Sequence, residues 1–560
     1  MKKRVGEFVR RAVTAVAAER GFAAADLPEI VIEQPREKSF GDFASNIAMQ
    51  LAGRWKTNPR AIGEALRLEL EKEPDLARVT VDGPGFINMT LDVGCWHRRL
   101  VEIAEAGDDF ARLDYGRGRK VLVEFVSANP TGPLHIGHGR GAAVGDVLAR
   151  LLTRAGYEVD REYYVNDAGN QMRILGRSLR WRYLELLGHR SGPLPEGYYQ
   201  GEYLVKLAQE VRSAHGDGLV PADLTEDDDQ GLDFFTPYAA EAILNGIRND
   251  LELFGVGFEY WTSEKEFFTS GRVDAVLDEL REKGVLYEQD GALWFASSRF
   301  GDEKDRVVVR ANGVKTYFAS DIAYHRDKFE RGYDLLIDVW GADHHGYVPR
   351  LRAAIEALGC DPERFAVILV QLVSLSRGGT PVAMSTRSGE FITLEEVVRE
   401  VGRDAARYFF LTRRSDSHLE FDLELAKAQN NDNPVYYAQY AHARICSILR
   451  KAREEEFDVH GTELRAGCGS CLTMPEELEL IKKLDDFTAL LESAARNLEP
   501  HRLTYYLDDL ATRFHSYYNR HRVVTDDRET SRDRLLLVTC IRQVINICLG
   551  LLGVSSPERM

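Results

Sequence analysis

The spacing of apolar positions divides the chain into three stretches with different patterns. Over 1–110, an amphipathic helical pattern at 2–20 is followed by strand-like runs at 30–32 and 79–91. Apolar residues at steps of three and four predict one face of a helix, whereas short runs rich in β-branched residues predict strands. The first stretch therefore predicts a small α+β domain, which a Gly- and Asp-rich linker at 107–118 follows.

The middle stretch, 118–425, alternates strand-like apolar runs with helical ones. This alternation is typical of a parallel sheet whose strands are joined by helices. Its strand candidates are 121–126, 163–165, 335–339 and 366–372. Between about 185 and 305 the alternation gives way to acidic, aromatic-rich helical segments and a short hairpin-like piece. We interpret 185–305 as an insertion in the sheet domain.

The last stretch, 430–560, is helical throughout, with apolar stripes and one loop-like break at 461–473. Such stripes predict helices that pack together through one face. The fold class predicted for the whole chain is therefore multidomain α/β. It combines an N-terminal α+β domain, a parallel-sheet domain with an insertion, and a C-terminal all-α domain.

The composition argues against several classes of protein. The chain has no signal-peptide pattern and, near either end, no apolar run that would span a membrane, so we expect a cytoplasmic protein without a membrane partner. The net charge of −17 argues against indiscriminate nucleic-acid binding, although it leaves room for a local basic surface. The 7 cysteines are too sparse for a disulfide framework. Cys468 and Cys471 have metal-like spacing but lack two further ligands, so no zinc is expected.

Residues 127–140 read Ser-Ala-Asn-Pro-Thr-Gly-Pro-Leu-His-Ile-Gly-His-Gly-Arg and lie between the apolar run 121–126 and a helical run. A strand, a tight turn and a helix start form a phosphate site, because the unpaired N–H groups and the dipole of the helix favour an anion. His135 and His138 are three residues apart on one helical face, where both can donate to the same phosphate. Gly137 leaves space for the close approach of a nucleotide.

This stretch resembles the first signature of the class I aminoacyl-tRNA synthetases, with 135–138 as the signature tetrapeptide. It is most similar to the arginyl branch of that family, and so are the stretches 163–171, 340–347 and 404–410. The resemblance extends over essentially the whole chain. It implies a Rossmann-type catalytic domain at 118–425, an N-terminal tRNA-binding domain and a C-terminal anticodon-binding domain.

The activity that this resemblance implies has two steps. The carboxylate of L-arginine attacks the α-phosphate of ATP, which gives arginyl-adenylate and pyrophosphate. The terminal ribose of tRNA(Arg) then takes the arginyl group. ATP enters with Mg²⁺ as a co-substrate. Displacement at phosphorus needs positioning and charge neutralisation more than a protein nucleophile, so the resemblance assigns His135 and His138 to the phosphates.

The Gly-Ala-Asp stretch resembles the nucleotide-ribose site of the family. This similarity implies that Gly341 contacts ATP and that Asp343 accepts hydrogen bonds from the ribose hydroxyls. The neighbouring His344 and His345 are compatible with an ATP contact and equally with a structural role.

Recognition of arginine requires particular side chains in the binding site. A guanidinium is planar and always charged, so carboxylates placed for a bidentate grip distinguish it from lysine. Tyr317 and Asp321 are four residues apart, and a helix would direct both side chains into one pocket. By resemblance, the arginine-binding positions are Glu124, Asn129, Tyr317 and Asp321. A site that hydrogen-bonds a distinctive polar group rejects wrong substrates without proofreading, which agrees with an insertion too small for an editing domain.

The second class I signature is altered in this chain. The family pattern is commonly Lys-Met-Ser-Lys-Arg, and the matching residues here are Ala383-Met384-Ser385-Thr386-Arg387. By resemblance, Met384 and Ser385 contact ATP. Both lysines of the pattern are absent.

The missing lysines leave the phosphates without their usual cations. Some arginyl enzymes carry a compensating lysine just before the first signature, but Gly132 occupies that position here. We expect Arg387, together with Arg377, to supply the charge on the pyrophosphate side.

The C-terminal helices carry two patches of aromatic and basic residues. Unpaired RNA bases stack on aromatic rings and on Arg planes, and Arg also neutralises phosphate. By themselves the patches also fit helices whose tyrosines pack inward and whose arginines are solvated. The resemblance to an anticodon-binding domain favours contact with tRNA(Arg). The residues predicted to bind tRNA are Tyr437, Tyr440, Arg444, Tyr517, Arg520 and Arg522.

Three alternatives remain open at this point. A class I synthetase for another amino acid would have different pocket residues in place of Glu124, Tyr317 and Asp321. A catalytically silent RNA-binding paralogue would explain the altered second signature, but not the intact first one. A small nucleotidyltransferase would share the two histidines without needing a helical C-terminal domain. A monomer is the family expectation.

Overall fold

The computed structural model describes residues 1–22, 27–220, 229, 231–382, 392–457 and 469–560. The strands of these residues are β1 (Phe43–Ser45), β2 (Leu76–Asp82), β3 (Phe86–Leu91), β4 (Lys120–Glu124), β5 (Glu158–Val165), β6 (Tyr260–Ser263), β7 (Leu286–Gln289), β8 (Ala292–Phe295), β9 (Arg306–Val309), β10 (Leu335–Gly341), β11 (Phe365–Val370), β12 (Val373–Arg377), β13 (Thr380–Pro381) and β14 (Leu419–Asp422).

The α-helices of the same residues are α1 (Lys2–Glu19), α2 (Ile47–Trp55), α3 (Pro59–Leu70), α4 (Val93–Ala106), α5 (Ile136–Arg154), α6 (Asn170–Leu186), α7 (Glu202–His215), α8 (Leu232–Phe254), α9 (Glu264–Thr269), α10 (Arg272–Glu282), α11 (Tyr317–Glu330), α12 (Val348–Ala357), α13 (Leu394–Val401), α14 (Arg403–Phe410), α15 (Leu423–Lys427), α16 (Pro434–Glu454), α17 (Pro475–Asn497), α18 (Arg502–Arg520) and α19 (Arg528–Leu552).

The N-terminal domain is built on an antiparallel sheet of order β1-β3-β2, against which α2 and α3 pack. Helix α4 leaves this domain and packs on α17 and α19 of the C-terminal helices. Arg99 on α4 donates to Asp485 over 2.7 Å, and Gln543 donates to the Ile103 carbonyl over 2.9 Å. The N-terminal domain is therefore attached to the C-terminal one.

The central domain contains a five-stranded sheet of order β11-β10-β4-β5-β6, in which every neighbouring pair is parallel. Strand β4 is a continuous apolar run because both of its faces are buried, as is typical of a parallel sheet with helices on both sides. The predicted parallel sheet is confirmed. Strand β6, which pairs with β5, lies inside 185–305, so that segment contributes a strand to the sheet as well as helices.

Helix α5 lies close against the sheet. A Cβ atom at Gly145 would stand 2.2 Å from Cγ of Phe125, so only glycine permits this approach. At Gly139, a Cβ atom would stand 2.6 Å from Cδ1 of Leu394. Close packing on two sides fixes the position of the helix that begins at the predicted phosphate site.

The C-terminal domain consists of α16 to α19, as the apolar stripes predicted. Helix α19 is long and apolar enough to cross a membrane by length and composition. In this structure 67% of its most apolar window is buried, and the helix packs against α4, α16, α17 and α18. This is the environment of a core helix.

Candidate active site

A cavity of about 720 Å³ opens at the carboxyl ends of β4 and β10. The chain leaves β4 for β5 on one side and reaches β10 on the other, and open parallel sheets bind ligands at such a switch point. The first turns of α5 and α11 also line the cavity. The predicted site residues on its wall are Glu124, Asn129, His135, Gly137, His138, Tyr317, Asp321, Gly341 and Asp343.

The turn after β4 has an unusual backbone. Val126 and Ser127 have φ angles of +68° and +39°, in the left-handed region that β-branched residues rarely adopt. The Ser127 hydroxyl donates to Glu124 Oε1 over 2.8 Å and accepts from the Tyr164 N–H over 3.1 Å. Such backbone strain persists only where surrounding contacts enforce it, and it concentrates at functional sites.

The two histidines of the signature hold each other in place. His135 is the N-cap of α5, and its Nδ1 accepts the Gly137 N–H over 3.1 Å. The His135 N–H in turn donates to Nδ1 of His138 over 3.3 Å. Because each Nδ1 accepts a hydrogen bond, each neutral ring carries its proton on Nε2. The rings stack with their centroids 3.7 Å apart, on one face of α5 as the spacing predicted.

Both imidazoles are uncharged near neutral pH. Burial, reinforced by the neighbouring His135, lowers the pKa of His138 to about 3. Burial also lowers the pKa of His135. The pair therefore offers hydrogen bonds without net charge. A Cβ atom at Gly137 would stand 2.9 Å from Cε1 of His135, so this glycine preserves the stacked pair.

Glu124 belongs to a buried charge network that the sequence did not reveal. Its carboxylate contacts the Lys328 ammonium, which also donates to Asp338 Oδ1 over 2.8 Å. His325 has Nε2 at 2.9 Å from Asp338 Oδ2 and Nδ1 at 2.9 Å from the carbonyl oxygen of Asp321. These two contacts fix the orientation of the His325 ring between the two acids.

The network sets the charge of its carboxylates. Burial raises the pKa of Glu124, an effect that the Lys328 ammonium opposes. Burial would raise the pKa of Asp338 too, but Lys328 and His325 together lower it. Positions 321, 325 and 328 lie on one face of α11. This spacing was the sequence signal that could have identified His325 and Lys328 as neighbours of the predicted site residue Asp321.

A second missed acid lies at the same end of the cavity. Glu264 is 1% exposed, its Oε1 accepts the Ser320 hydroxyl over 2.7 Å, and its Oε2 is buried without a hydrogen-bond partner among the described residues. Burial, opposed by the Ser320 hydrogen bond and reinforced by Asp321, raises the pKa of Glu264 to about 7. Burial also raises the pKa of Asp321, which accepts the Tyr347 hydroxyl. A single glutamate at the start of a short helix has no sequence signal.

The predicted ribose site lies at the carboxyl end of β10. The Asp343 side chain is 77% exposed, and a Cβ atom at Gly341 would stand 2.4 Å from Asp343 Oδ1. Glycine at this position thus lets the carboxylate fold back against the strand end. His344 lines the cavity, whereas His345 has Nδ1 at 3.1 Å from the Ala342 carbonyl oxygen.

The second signature falls on residues that the structure does not describe, namely Met384, Ser385 and Arg387. Arg377 is described, and its guanidinium is paired with Glu400 at 2.6 Å and with Glu424 at 2.9 Å. Among the described residues that line the cavity there is no lysine or arginine. The predicted role of Arg387 at the phosphates therefore stays a prediction. The expectation of no zinc also stays a prediction, because Cys468 lies outside the described residues.

The predicted tRNA contacts divide into two groups. Arg444 donates to the Tyr440 hydroxyl over 2.8 Å and lies 4.9 Å from the ring centre of Tyr518, while Tyr437 packs on His515 with 4.4 Å between ring centres. The half-buried Tyr437, Tyr440 and Tyr518, together with the buried His515, form a surface of α16 and α18 that we call the aromatic face.

The prediction for Tyr517 is wrong. Its side chain is 1% exposed and its hydroxyl donates to Glu477 over 3.1 Å, so no base can stack on the ring. Tyr517 faces the core because α18 is amphipathic, and its apolar stripe includes this position. Arg520 and Arg522 are exposed near the end of the same helix, with Arg520 at 3.4 Å from Glu476.

Comparison with known proteins agrees with this architecture. The family models that match are "Arginyl tRNA synthetase N terminal domain" at 4–91, "tRNA synthetases class I (R), catalytic domain" at 108–446 and "DALR anticodon binding domain" at 438–560. The catalytic match alone covers more than half of the chain.

Full-length relatives and a solved structure extend the match. The chain is 53% identical to the arginine–tRNA ligase of Geobacter sp. (strain M21) and 52% identical to that of Syntrophotalea carbinolica, over 100% of both sequences in each case. The structure of Thermus thermophilus arginyl-tRNA synthetase superposes with a TM-score of 0.76 at 23% identity, over 100% of each chain, and shows the shared fold. With the catalytic domain, both flanking domains and full-length relatives in agreement, the chain belongs to the arginyl-tRNA synthetase family.

Proposed function

We propose that the cavity holds arginine at its acidic end and ATP at its histidine end during the arginine–tRNA ligase reaction of this family. The observation that carries the assignment is the unpartnered Oε2 of Glu264. A buried carboxylate oxygen without a donor is costly, and a guanidinium supplies several donors in a plane. Asp321 contributes to the raised pKa of Glu264, and a bound cation removes that repulsion.

The other end of arginine is assigned to the strained turn. Glu124 and Asn129 line the cavity next to the signature histidines, where a carboxylate and an amide suit an α-ammonium group. Held at both ends, the substrate directs its own carboxylate toward the histidine end. Tyr317, whose side chain is 48% exposed at the rim, covers the pocket.

ATP is assigned to the start of α5. The Nε2–H groups of His135 and His138 and the helix N-terminus donate to the phosphates, while Asp343 accepts from the ribose hydroxyls. A carboxylate oxygen of arginine attacks the α-phosphorus, the bond from phosphorus to the bridging oxygen breaks, and pyrophosphate leaves with that electron pair. The neutral histidines stabilise the developing charge by hydrogen bonding alone.

Positive charge for the phosphates is assigned to Mg²⁺ and to Arg387. Of the carboxylates on the described cavity wall, only Asp343 is exposed, and the others take part in the buried contacts above. The donor set therefore fits an ion that arrives on the triphosphate and keeps water as its main ligand. When bound, the ion would supply charge neutralisation.

The aromatic face of α16 and α18 is assigned to tRNA(Arg). Tyr437, Tyr440 and Arg444 combine ring surfaces with a guanidinium, which suits unpaired bases next to phosphates. Arg520 and Arg522 would add phosphate contacts at the end of α18. We further propose that the enzyme acts as a monomer in the cytoplasm.

The test is arginine-dependent exchange of pyrophosphate into ATP, measured with tRNA(Arg) present and absent. Exchange should require arginine and increase strongly with tRNA. Citrulline, which has the shape of arginine without its charge, should support less than about a thousandth of the exchange, because it leaves two carboxylates unpaired. Comparable exchange with citrulline, or exchange with another amino acid, would contradict the pocket assignment.

A further inference from the structure

Helix α14 joins the central domain to three helices of the C-terminal domain. Asp404 accepts from Gln439 of α16 over 3.0 Å, and the Tyr408 hydroxyl donates to Asp508 of α18. Arg407, between them, donates from Nε to the Leu552 carbonyl at the end of α19 over 2.9 Å. The catalytic steps use none of these residues.

Arg407 also reaches in the opposite direction. Its guanidinium pairs with Asp146 of α5, the helix that begins at the signature histidines, and donates to the Phe254 carbonyl at the end of α8 over 3.2 Å. The side chain is fully buried, as is that of Asp146. One guanidinium thus bonds to α5, α8 and α19, which is possible because its five donors point in fixed directions.

The end of α19 is shaped to admit this guanidinium. Gly553 follows the helix with φ of +67°, and a Cβ atom there would stand 2.4 Å from Nη2 of Arg407 and 2.5 Å from its Cζ. A side chain at Gly553 would therefore displace the charged group itself. On the other side, Arg407 lies over the ring of Phe254 at 5.4 Å.

We propose that Arg407 is a positioning residue that couples the placement of the C-terminal domain to the α5 histidines. The tRNA held by that domain would then influence the geometry of the ATP site through α19, Arg407 and Asp146. The inference rests on the proposed role of the C-terminal domain in tRNA binding. Buried arginines that link packed elements transmit displacement, since a packed core has few intermediate arrangements.

Two variants disturb the link from different sides. Arg407→Lys keeps the positive charge beside Asp146 but has three donors on one nitrogen, so it cannot bond to α5, α8 and α19 together. Gly553→Ala keeps Arg407 and moves the end of α19 against it. Gly550→Ala, in the last turn of α19, is the control for an added methyl group, because its Cβ would meet no atom within 4 Å.

The experiment measures arginylation kcat with intact tRNA(Arg) and with the same tRNA lacking its anticodon stem and loop, together with the dissociation constant of intact tRNA. For Arg407→Lys and Gly553→Ala we expect kcat with intact tRNA to fall at least tenfold, and kcat with truncated tRNA to fall less than threefold. The dissociation constant should stay within twofold, and Gly550→Ala should behave as wild type. Thermal unfolding reports whether each variant is folded.

Three outcomes would overturn the inference. Equal losses on both tRNAs would show that Arg407 merely holds α5. A change confined to the dissociation constant would show that it merely holds the C-terminal domain. If the wild-type enzyme charged both tRNAs with the same kcat, the proposed tRNA-binding role of the domain would fail before the role of Arg407.

Discussion

The two ends of the cavity differ in their electrostatics, since one is lined by buried acids and the other by two uncharged histidines. At the proposed amino-acid end, Glu264 and Asp321 are buried acids whose pKa values are raised, and a cationic substrate would stabilise their ionised forms. At the phosphate end, His135 and His138 are held neutral and offer hydrogen bonds only. In the proposed arrangement, selectivity for arginine comes from fixed carboxylates, whereas positive charge at the phosphates comes from groups outside the described cavity wall.

The largest expected effect comes from Glu264→Gln. Removing a buried charge from the guanidinium pocket should lower kcat/KM for arginine by roughly 10²–10³, since losing one partner of a buried charged pair costs about 3–4 kcal/mol. Steady-state pyrophosphate exchange measures this, and the KM for ATP should hardly change. Glu266→Gln on the exposed side of the same helix is the control. An unchanged KM for arginine in Glu264→Gln would contradict the proposed contact between Glu264 and the guanidinium.

At the phosphate end, His138→Ala should lower kcat by about 10², the usual effect of losing one donor to a developing negative charge. His138→Asn keeps a neutral N–H donor and should retain more activity than the alanine variant. Single-turnover adenylate formation separates this step from tRNA charging. His189→Ala, an exposed histidine of the central domain, should match wild type. Equal losses in the two His138 variants would refute neutral hydrogen bonding as its role.

The pH dependence should separate the two ends. Arginine binding favours the ionised form of Glu264, whose pKa burial raises to about 7, so the KM for arginine should rise up to tenfold for each unit that pH falls below about 7. Above pH 8 the KM should be constant. Profiles of KM between pH 5.5 and 8.5 test this, and the acidic rise should vanish in Glu264→Gln. An acidic rise that persists in that variant would have to come from another group.

The smallest effect is expected from Tyr317→Phe, about threefold in the KM for arginine. Its side chain is 48% exposed, so water can replace the hydroxyl, and a net hydrogen bond of this kind contributes about 0.5–1 kcal/mol. Tyr505→Phe, with 47% exposure in the C-terminal domain, is the matched control. A loss near that of Glu264→Gln would make Tyr317 a principal arginine ligand.

Sequence patterns predicted much of this architecture because they report local periodicity. The parallel sheet and the shared face of His135 and His138 follow from spacing along the chain. Glu264 and Lys328 were missed because their meaning depends on partners brought together by the sheet. Tyr517 was misplaced for a related reason: composition marked it as a base-stacking residue, whereas its position in the apolar stripe of α18 buries it.

The left-handed turn at Val126 and Ser127 has a consequence for the evolution of this enzyme. Glycine at position 127 would relieve the strain there, but it would also make the unfolded chain more flexible and remove the Ser127 hydroxyl that supports Glu124. A substitution that relieves the strain at Ser127 would therefore weaken the proposed contact of Glu124 with the substrate. Selection for a more stable protein and selection for a more active enzyme would oppose each other at this turn.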